Sequence, residues 1–290
     1  MYIFNFIGRR KIWYTISIVV LLAGIISLAV QGLNLGIDFT GGNIIQVRFE
    51  ESVTSGEVRE VFSQHVKEAF SVQETDENNF FVRTPVLTEE QSNLIIAGLT
   101  SQFGKNEILR NEHVGPVIGK ELALNALYAL IIAAVLMVIY ISFRFEFKFG
   151  IAAVVSLLHD VIVTVGVFSM LQIEVDSAFV AAILTIIGYS INDTIVIFDR
   201  IRENRRGSRK EDRATLVDRS IMQTLTRSIN TVLTTLFPLI ALILLGGATI
   251  KAFVLALLIG IASGCYSSIF IASPFWFDLN NWATAKKARA

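Results

Sequence analysis

Cysteine is nearly absent from this sequence: the 290 residues contain one, Cys265, together with only three histidines. A single thiol cannot form an intrachain disulfide, and the scattered histidines do not have the spacing of a metal site. We therefore expect no disulfide framework, no metal centre and no bound cofactor. Because Cys265 lies inside an apolar stretch, we predict that it packs as a small hydrophobic residue.

Charged residues are also scarce, at 17% of the chain against about a quarter in soluble domains, whereas 53% of the residues are hydrophobic. The apolar residues form long blocks, and a helix needs roughly 20 of them to cross the hydrocarbon core of a bilayer. Six blocks reach or approach that length, so we predict six transmembrane helices. These blocks are Ile12–Val30, Leu122–Phe143, Phe149–Leu171, Ser177–Phe198, Ile229–Leu245 and Ala252–Pro274.

The first block follows Arg9, Arg10 and Lys11, as the apolar segment of a signal peptide would. Its apolar run is too long for a signal peptide, and Ala29–Gln31 is a poor cleavage site. We predict an uncleaved membrane anchor within residues 1–32.

Lysine and arginine are concentrated in alternate connections between the blocks. They precede the first block, join the second to the third and the fourth to the fifth, and occur again in the tail 275–290. Since short cytoplasmic segments carry the excess of positive charge, both termini are predicted to be cytoplasmic. The most basic connection, residues 199–221, is predicted to be a loop at the inner leaflet. It could bind anionic lipid or RNA, but it has no nucleic-acid-binding signature.

Residues 33–119 form the long connection between the first two blocks, ahead of the remaining spans in 120–274. From Asp38 to Glu121 there are 14 acidic and 7 basic residues, which suits a domain in water outside the membrane. The alternation of side chains predicts a β-α-β-β-α-β order, the split βαβ or ferredoxin-like plan. The predicted strands are 43–49, 71–74, 80–84 and 105–114, and the predicted helices are 55–70 and 89–103.

Two local signals lie in this domain. Thr88 and Gln91 have the spacing of a capping box and predict a helix start. The glycines in the run Phe39–Gly42 precede a strand rather than a helix, so we predict a tight turn and not a phosphate-binding loop. The turn-like residues 76–79 separate the two central strands.

Ionisable residues inside three predicted spans are the most informative feature of the chain. A charged group at mid-membrane costs roughly 2.5–3.5 kcal/mol on insertion scales, so it needs a partner or a function. His159 and Asp160 lie in the third span, and Asp160 shares a helix face with Ser156 and Thr164. Asp193 lies in the fourth span, after Asn192 and on one face with Tyr189.

The fifth block has only 17 uninterrupted apolar residues, and extending it toward Met222 brings Arg227 into the membrane. A polar stripe then follows one helix face and is predicted to point into the bundle. It comprises Thr224, Arg227, Thr231, Thr235 and Pro238.

Arg227 would lie at a depth similar to that of Asp193, so we predict an Asp193–Arg227 pair. Such a pair is either a fixed ion pair between helices or a proton relay, since hydrogen bonding and desolvation oppose each other at the carboxylate. In the sixth span Gly260, Gly264 and Ser267 form a small-residue face typical of helix packing.

Three motifs in this sequence resemble the SecF members of the SecD/SecF family of bacterial protein-export membrane proteins. The first is GIDFTGG, which contains Asp38, Phe39, Thr40, Gly41 and Gly42. The second is VGPVIGKEL, which contains Gly115 and Pro116. The third is GYSINDT with Asp193, followed by TRSINT with Arg227. The resemblance extends in order over essentially the whole chain.

The resemblance implies one half of a resistance–nodulation–division type transporter in the bacterial cytoplasmic membrane. Such a subunit works with SecD beside the SecYEG channel and uses the proton motive force to draw preproteins across the membrane. It implies no hydrolytic enzyme activity and no cofactor. By position, Asp193 matches the family's proton-carrying aspartate and Arg227 its partner. Four further residues could support the relay or the packing around it: Asn192, Tyr189, Asp160 and His159.

Two other classes of function stay open. A proton-coupled small-molecule exporter of the same superfamily would usually have a larger external domain and a duplicated chain of twelve spans. An intramembrane aspartyl protease would use two aspartates, such as Asp160 and Asp193, in Gly-x-Gly-Asp contexts. Here Ser190, Ile191 and Asn192 precede Asp193 instead.

Overall fold

The computed structural model describes residues 4–68, 70–74, 78–144, 146–207 and 211–289, which form two compact units. One unit combines the chain up to Asn34 with the chain from Ala129 onward, and the other is Leu35–Tyr128. The strands are β1 (Asn34–Leu35), β2 (Gly42–Phe49), β3 (Ser71–Glu74), β4 (Asn79–Thr84), β5 (Asn106–Val114) and β6 (Glu174–Val175). The helices are α1 (Arg10–Gln31), α2 (Ile37–Thr40), α3 (Ser55–His65), α4 (Glu89–Phe103), α5 (Pro116–Arg144), α6 (Phe147–Leu171), α7 (Ser177–Gly207), α8 (Arg213–Leu245), α9 (Ala248–Ser267) and α10 (Ser273–Arg289), with a π-helical turn at Ser268–Ala272.

Within the described ranges, six helical segments are long and apolar enough to cross a membrane, as predicted. Five of them are α1, α5, α6, α7 and α8, and the sixth runs from Ile250 to Trp282 through α9, the π-helical turn and α10. The chain is therefore a multi-pass membrane protein. The predicted short fifth span is part of a 33-residue helix, so Arg227 lies well inside α8.

The prediction of a loop at 199–221 is wrong, because α7 continues to Gly207 and α8 begins at Arg213. The Asp212 side chain caps α8 by accepting hydrogen bonds from the backbone N–H groups of Ala214 and Thr215. The Asn204 amide donates to Ser220 Oγ at 2.8 Å, which joins the two helices beyond the apolar blocks. The charged residues correctly indicated that this segment is polar, but charge alone does not distinguish a helix from a loop. The basic residues Arg209 and Lys210 lie outside the described part of the chain.

Several arginines of this segment have acidic partners. Arg205 forms an ion pair with Glu146, and its hydrogen bonds lower the pKa of that carboxyl. Arg202 lies 3.0 Å from Asp199, and Arg219 lies 2.7 Å from Glu211. Much of the positive charge is thus neutralised within the protein, which weakens the case for an RNA-binding surface. The predicted tail, 275–290, continues as α10, and the side chains after Trp282 are not described.

The transmembrane unit packs around α9, which contacts α6, α7 and α8, while α1 packs on α6. Small residues permit these approaches. A Cβ on Gly166 would lie 2.7 Å from the Cα of Gly24 in α1, so the two helices cross with their backbones in contact. In α9, a Cβ on Gly264 would lie 3.1 Å from the Cβ of Ser190, and one on Gly260 would collide with Ile186 of α7. The prediction of a small-residue packing face is confirmed at both glycines.

Replacing Gly166 by Ala should destabilise the transmembrane unit, because the added methyl group has no space against the backbone of α1. Overpacking of this kind costs about 1–3 kcal/mol. Gly188 of α7 is the matched control: a Cβ there meets nothing within 4 Å. Gly188→Ala should therefore keep or raise the stability through its better helix propensity. Thermal unfolding of the two purified variants in detergent measures the difference; equal melting temperatures would contradict the backbone contact.

The second unit contains an antiparallel sheet with the strand order β3-β4-β2-β5. Its chain order, β2-α3-β3-β4-α4-β5, agrees with the predicted order of elements. Ile45 pairs with Val82 and Val47 with Phe80, which places β-branched and aromatic side chains in one core. Phe62 of α3 adds to that core and is fully buried. The acidic surface of this unit is thus supported by an apolar interior rather than by disulfides.

The ends of helices α3 and α4 in this unit differ in how well the sequence predicts them. The predicted capping box at Thr88 and Gln91 is present, and a second one joins Thr54 to Glu57. Helix α3 ends at His65 rather than at the predicted position 70, because Val66 adopts an extended conformation with φ −116°. Val66 is still buried, so its apolar character alone could not show where the helix ends. The predicted turn at 76–79 lies partly outside the described residues.

Candidate functional site

Asp193 lies in the middle of α7 and lines a small polar cavity between α7, α8 and α9. Its Oδ1 atom accepts a hydrogen bond of 2.6 Å from the Ser228 hydroxyl of α8. Its Oδ2 atom is buried and has no hydrogen-bond partner among the described residues. One oxygen of the carboxylate is therefore held by α8, while the other is free to take a proton or to accept a new donor. An under-satisfied polar atom in a membrane bundle requires an explanation.

Arg227 lines the same cavity, but the predicted direct Asp193–Arg227 pair is not formed among the described residues. No hydrogen bond or ion pair joins these two side chains in the described structure, although they interact electrostatically. Ser228, the next residue on α8, faces Asp193 instead, and the Arg227 side chain lies exposed at the rim. Successive residues on a helix point about 100° apart, so both cannot face α7 equally.

The other polar residues predicted near Asp193 differ in what they contact. Tyr189 and Asn192 both line the cavity. The Tyr189 hydroxyl is 2.6 Å from Thr235 Oγ1, which gives α7 and α8 a second side-chain contact. Asn192 is exposed next to Asp193. Cys265 of α9 also borders the cavity and is half-buried.

The polar stripe of α8 does not point wholly into the bundle. Thr224 is buried and Thr235 is half-buried, but Arg227, Thr231 and Pro238 are exposed. Helix α8 packs on α7 and α9 through neighbouring residues such as Ser228 and Val232, which are buried. The helices of this chain thus leave part of the polar face uncovered.

Asp160 forms a second polar centre and is fully buried. Its carboxylate accepts hydrogen bonds from Ser190 Oγ at 2.6 Å, Ser263 Oγ at 2.7 Å and Ser267 Oγ at 2.7 Å. The His159 ring lies beside it, with Nδ1 3.0 Å from Oδ1. The carboxylate therefore joins α6, α7 and α9, and its partners are polar groups rather than a counter-charge from another helix.

The sequence did not predict these serine donors. The predicted neighbours of Asp160 on its own helix play other parts: Thr164 donates to the Asp160 backbone carbonyl, and Ser156 donates to Ser267 Oγ. Ser267 was assigned to helix packing alone, and that assignment is incomplete because it also donates to Asp160. The only signal was the four-residue spacing of Ser263 and Ser267, which places both hydroxyls on one face of α9.

The glycine-rich motif lies in the second unit, at the start of β2. Asp38, Phe39 and Thr40 belong to the one-turn helix α2, after which Gly41 and Gly42 have φ of +75° and +133°. Glycine adopts such angles without strain, so the prediction of a tight turn is confirmed.

The glycine–proline motif lies against this turn. Gly42 pairs with Val114, the residue before Gly115, and the helix that begins at Pro116 carries Gly119. A Cβ on Gly119 would lie 3.0 Å from the backbone nitrogen of Gly41. The two motifs thus form one packed corner of the second unit, which points to a structural role.

Among the described residues, no three His, Cys, Asp or Glu side chains form a group that could hold a metal ion. No described hydrogen bond connects the carboxylates of Asp160 and Asp193, which a protease dyad sharing one proton would require. The geometry instead gives one satisfied and one under-satisfied carboxylate inside a membrane bundle.

Comparison with known proteins places these features in a family. The family model "Protein export membrane protein SecD/SecF, C-terminal" matches residues 95–282, and the "SecD/SecF GG Motif" model matches residues 26–53. The protein translocase subunit SecF of Sebaldella termitidis is 42% identical, with 96% of this chain and 92% of the relative covered. The corresponding subunit of Acidaminococcus fermentans is 44% identical, with 94% and 96% covered.

A solved structure gives the same result. The crystal structure of SecDF from Thermus thermophilus, described as a translocon-associated membrane protein, matches with a TM-score of 0.90 and 36% identity over 97% of this chain. The match covers 39% of the SecDF chain, so the present chain spans about two fifths of that protein.

Proposed function

Because this chain belongs to the SecD/SecF family of protein-export membrane proteins, we propose that it is an auxiliary subunit of the Sec translocase that uses the proton motive force to promote preprotein export. The energy source is the proton gradient, and the proposal includes neither a cofactor nor a hydrolytic step. The observation that carries it is Asp193, a carboxylate inside a membrane helix with one oxygen unpaired and a cation at the rim of its cavity.

The proposed orientation has both termini in the cytoplasm and the second unit outside the cytoplasmic membrane. The basic ends of α1, α7 and α8 support this orientation, because positive residues remain on the cytoplasmic side. We propose that the second unit is a ferredoxin-like domain. Its strand order β3-β4-β2-β5, with every neighbouring pair antiparallel, supports that assignment.

The proposed step is protonation of Asp193 from the outside. Protonation removes the negative charge that receives the Ser228 hydrogen bond and attracts Arg227, so the hold of α7 on α8 weakens. The helices then shift, and the external unit moves with them. A membrane potential of 100 mV supplies about 2.3 kcal/mol per charge, enough to bias two states that differ by a few kcal/mol.

The proposed partners are SecD, the SecYEG channel and unfolded preproteins. The exposed polar face at Asn192, Arg227 and Thr231 supports a membrane partner, because polar groups facing lipid are costly. A separate SecD chain would supply what the remainder of the SecDF chain supplies in the matched structure.

Purification of the tagged chain from mild detergent tests this assignment. We expect SecD and the channel subunits to copurify, and we expect vesicles with the complex to export more preprotein when a proton gradient is present. An ionophore should remove that gain. A chain that purifies alone and extrudes small molecules would support the exporter alternative and contradict the proposal.

A further inference from the structure

The two carboxylates in the bundle receive very different numbers of hydrogen bonds. Among the described residues, three serine hydroxyls and the His159 ring surround Asp160, whereas Ser228 is the one hydrogen-bond partner of Asp193. An ionised carboxylate accepts hydrogen bonds only, and its two oxygens offer about four lone-pair sites. The three serine hydroxyls occupy three of those sites, and the His159 Nδ1 atom lies within hydrogen-bond distance of Oδ1.

Ser190 connects the two centres. It is three residues before Asp193 on α7, and it also lines the Asp193 cavity. A hydroxyl has one proton to donate, and Ser190 donates it to Asp160 Oδ2 at 2.6 Å. The hydroxyl is therefore withheld from Asp193, which is consistent with the unpaired Oδ2 atom of that carboxylate.

The contacts of Asp160 also join three helices to one another. Ser190 belongs to α7, and Ser263 and Ser267 belong to α9, so one buried carboxylate of α6 ties three helices into a block. Close packing of Gly264 against Ser190 adds to this block. Helix α8 is joined to Asp193 by the Ser228 hydroxyl and to Tyr189 by Thr235.

We propose that Asp160 is a positioning residue: it holds the Ser190 hydroxyl away from Asp193 and fixes α6, α7 and α9 as a block, so that α8 supplies the hydrogen-bond donor of Asp193. The inference rests on the proposed function, in which Asp193 carries the proton. Asp160 itself keeps its hydrogen bonds through the cycle.

Other titratable groups face Asp160 from the helices packed against it. His159 lies on its own helix, and Tyr266 of α9 stacks on the His159 ring with centroids 6.0 Å apart. Cys265 of α9 interacts electrostatically with both Asp160 and Asp193. Asp193 of α7 lines the same cavity as Ser190. A change in the pH dependence of export must therefore be assigned with variants that separate these groups.

The test is the pH dependence of gradient-driven export in vesicles that contain the full chain with its translocase partners. In Asp160→Asn one carboxylate oxygen is replaced by an NH2 donor; with that NH2 facing Ser190 and Ser267, the Ser190 hydroxyl loses its acceptor and can donate to Asp193. A hydrogen bond stabilises the ionised form of a carboxylate, and we expect the pH profile to move by about one unit toward lower pH. Combining Asp160→Asn with Ser190→Ala should abolish the shift, because no hydroxyl remains to be released.

Single variants provide the controls. Ser263→Ala removes one donor from Asp160 but leaves the Ser190 bond, so its profile should not shift. Ser190→Ala alone should also leave the profile in place, because Ser190 does not donate to Asp193. This variant keeps the proposal testable if Asp160→Asn fails to accumulate in the membrane. A shift in Ser190→Ala, no shift in Asp160→Asn, or a shift that persists in the double variant would overturn the positioning role.

Asp193→Asn separates this inference from the proposed function. If Asp193→Asn exports normally in response to a gradient, the proposed function itself fails. If Asp193→Asn is inactive while Asp160→Asn keeps the wild-type pH profile, only the positioning role of Asp160 fails.

Discussion

Replacement of Asp193 by Asn is expected to abolish the part of export that depends on the proton gradient, while the chain still accumulates in the membrane. Asn has nearly the same shape and can still accept the Ser228 hydrogen bond through its carbonyl oxygen. The loss of a charge-assisted bond at a half-buried site should cost about 1 kcal/mol of stability or less. The amide cannot bind and release a proton in the physiological range, so the proposed cycle cannot run.

Asp199→Asn is the matched control for this experiment. Asp199 lies on the same helix, six residues later, and its carboxylate lies 3.0 Å from Arg202 and 3.6 Å from Arg144. It takes no part in the Asp193 cavity, so its replacement should leave the gradient dependence intact. Export should be measured in inverted vesicles with and without an ionophore, at equal amounts of membrane-inserted protein. Full gradient stimulation in Asp193→Asn would refute the proton-carrying role.

The membrane plan was predictable because it depends on quantities that a sequence contains. Spans follow from the length of apolar blocks. The start of α4 after Thr88 follows from a capping box formed within four residues. The similar depth of Asp193 and Arg227 in the membrane could be predicted because depth follows from the rise per residue of a helix. The sequence did not settle which atom of α8 reaches Asp193. That depends on the rotation of one helix against another, and Ser228 and Arg227 are adjacent residues with different directions.

The environment of Asp160 was not predictable for the same reason. Its donors lie 30, 103 and 107 residues away in the chain, on helices whose register is set by the packing of Gly260 and Gly264. Serine is common on helix packing faces, so its presence in α9 did not distinguish a packing residue from a hydrogen-bond donor. The sequence did not predict that α7 and α8 extend beyond the apolar blocks. The charged residues there indicate where the chain leaves the membrane, but they do not indicate the backbone conformation.

The second large effect is expected at Arg227. Arg227→Met should abolish gradient-dependent export as completely as Asp193→Asn, because in the proposed cycle the field of this cation favours release of the Asp193 proton. Arg219→Met is the matched control: it removes an arginine from the same helix whose partner is Glu211, away from the cavity. Export and gradient dependence should be retained in that variant. Normal export in Arg227→Met would show that the cation is not part of the cycle.

Arg227→Lys distinguishes two ways in which the cation can act. In this structure Arg227 makes no direct bond to Asp193, and the two interact through space. If that long-range interaction suffices throughout the cycle, Lys should retain most of the gradient-dependent export, since it keeps the charge and loses only the planar fork. If Lys is as inactive as Met, a bidentate Arg227–Asp193 bond must form in another state of the cycle. The direct pair expected from the sequence would then belong to that state, with the Ser228 bond broken to allow it.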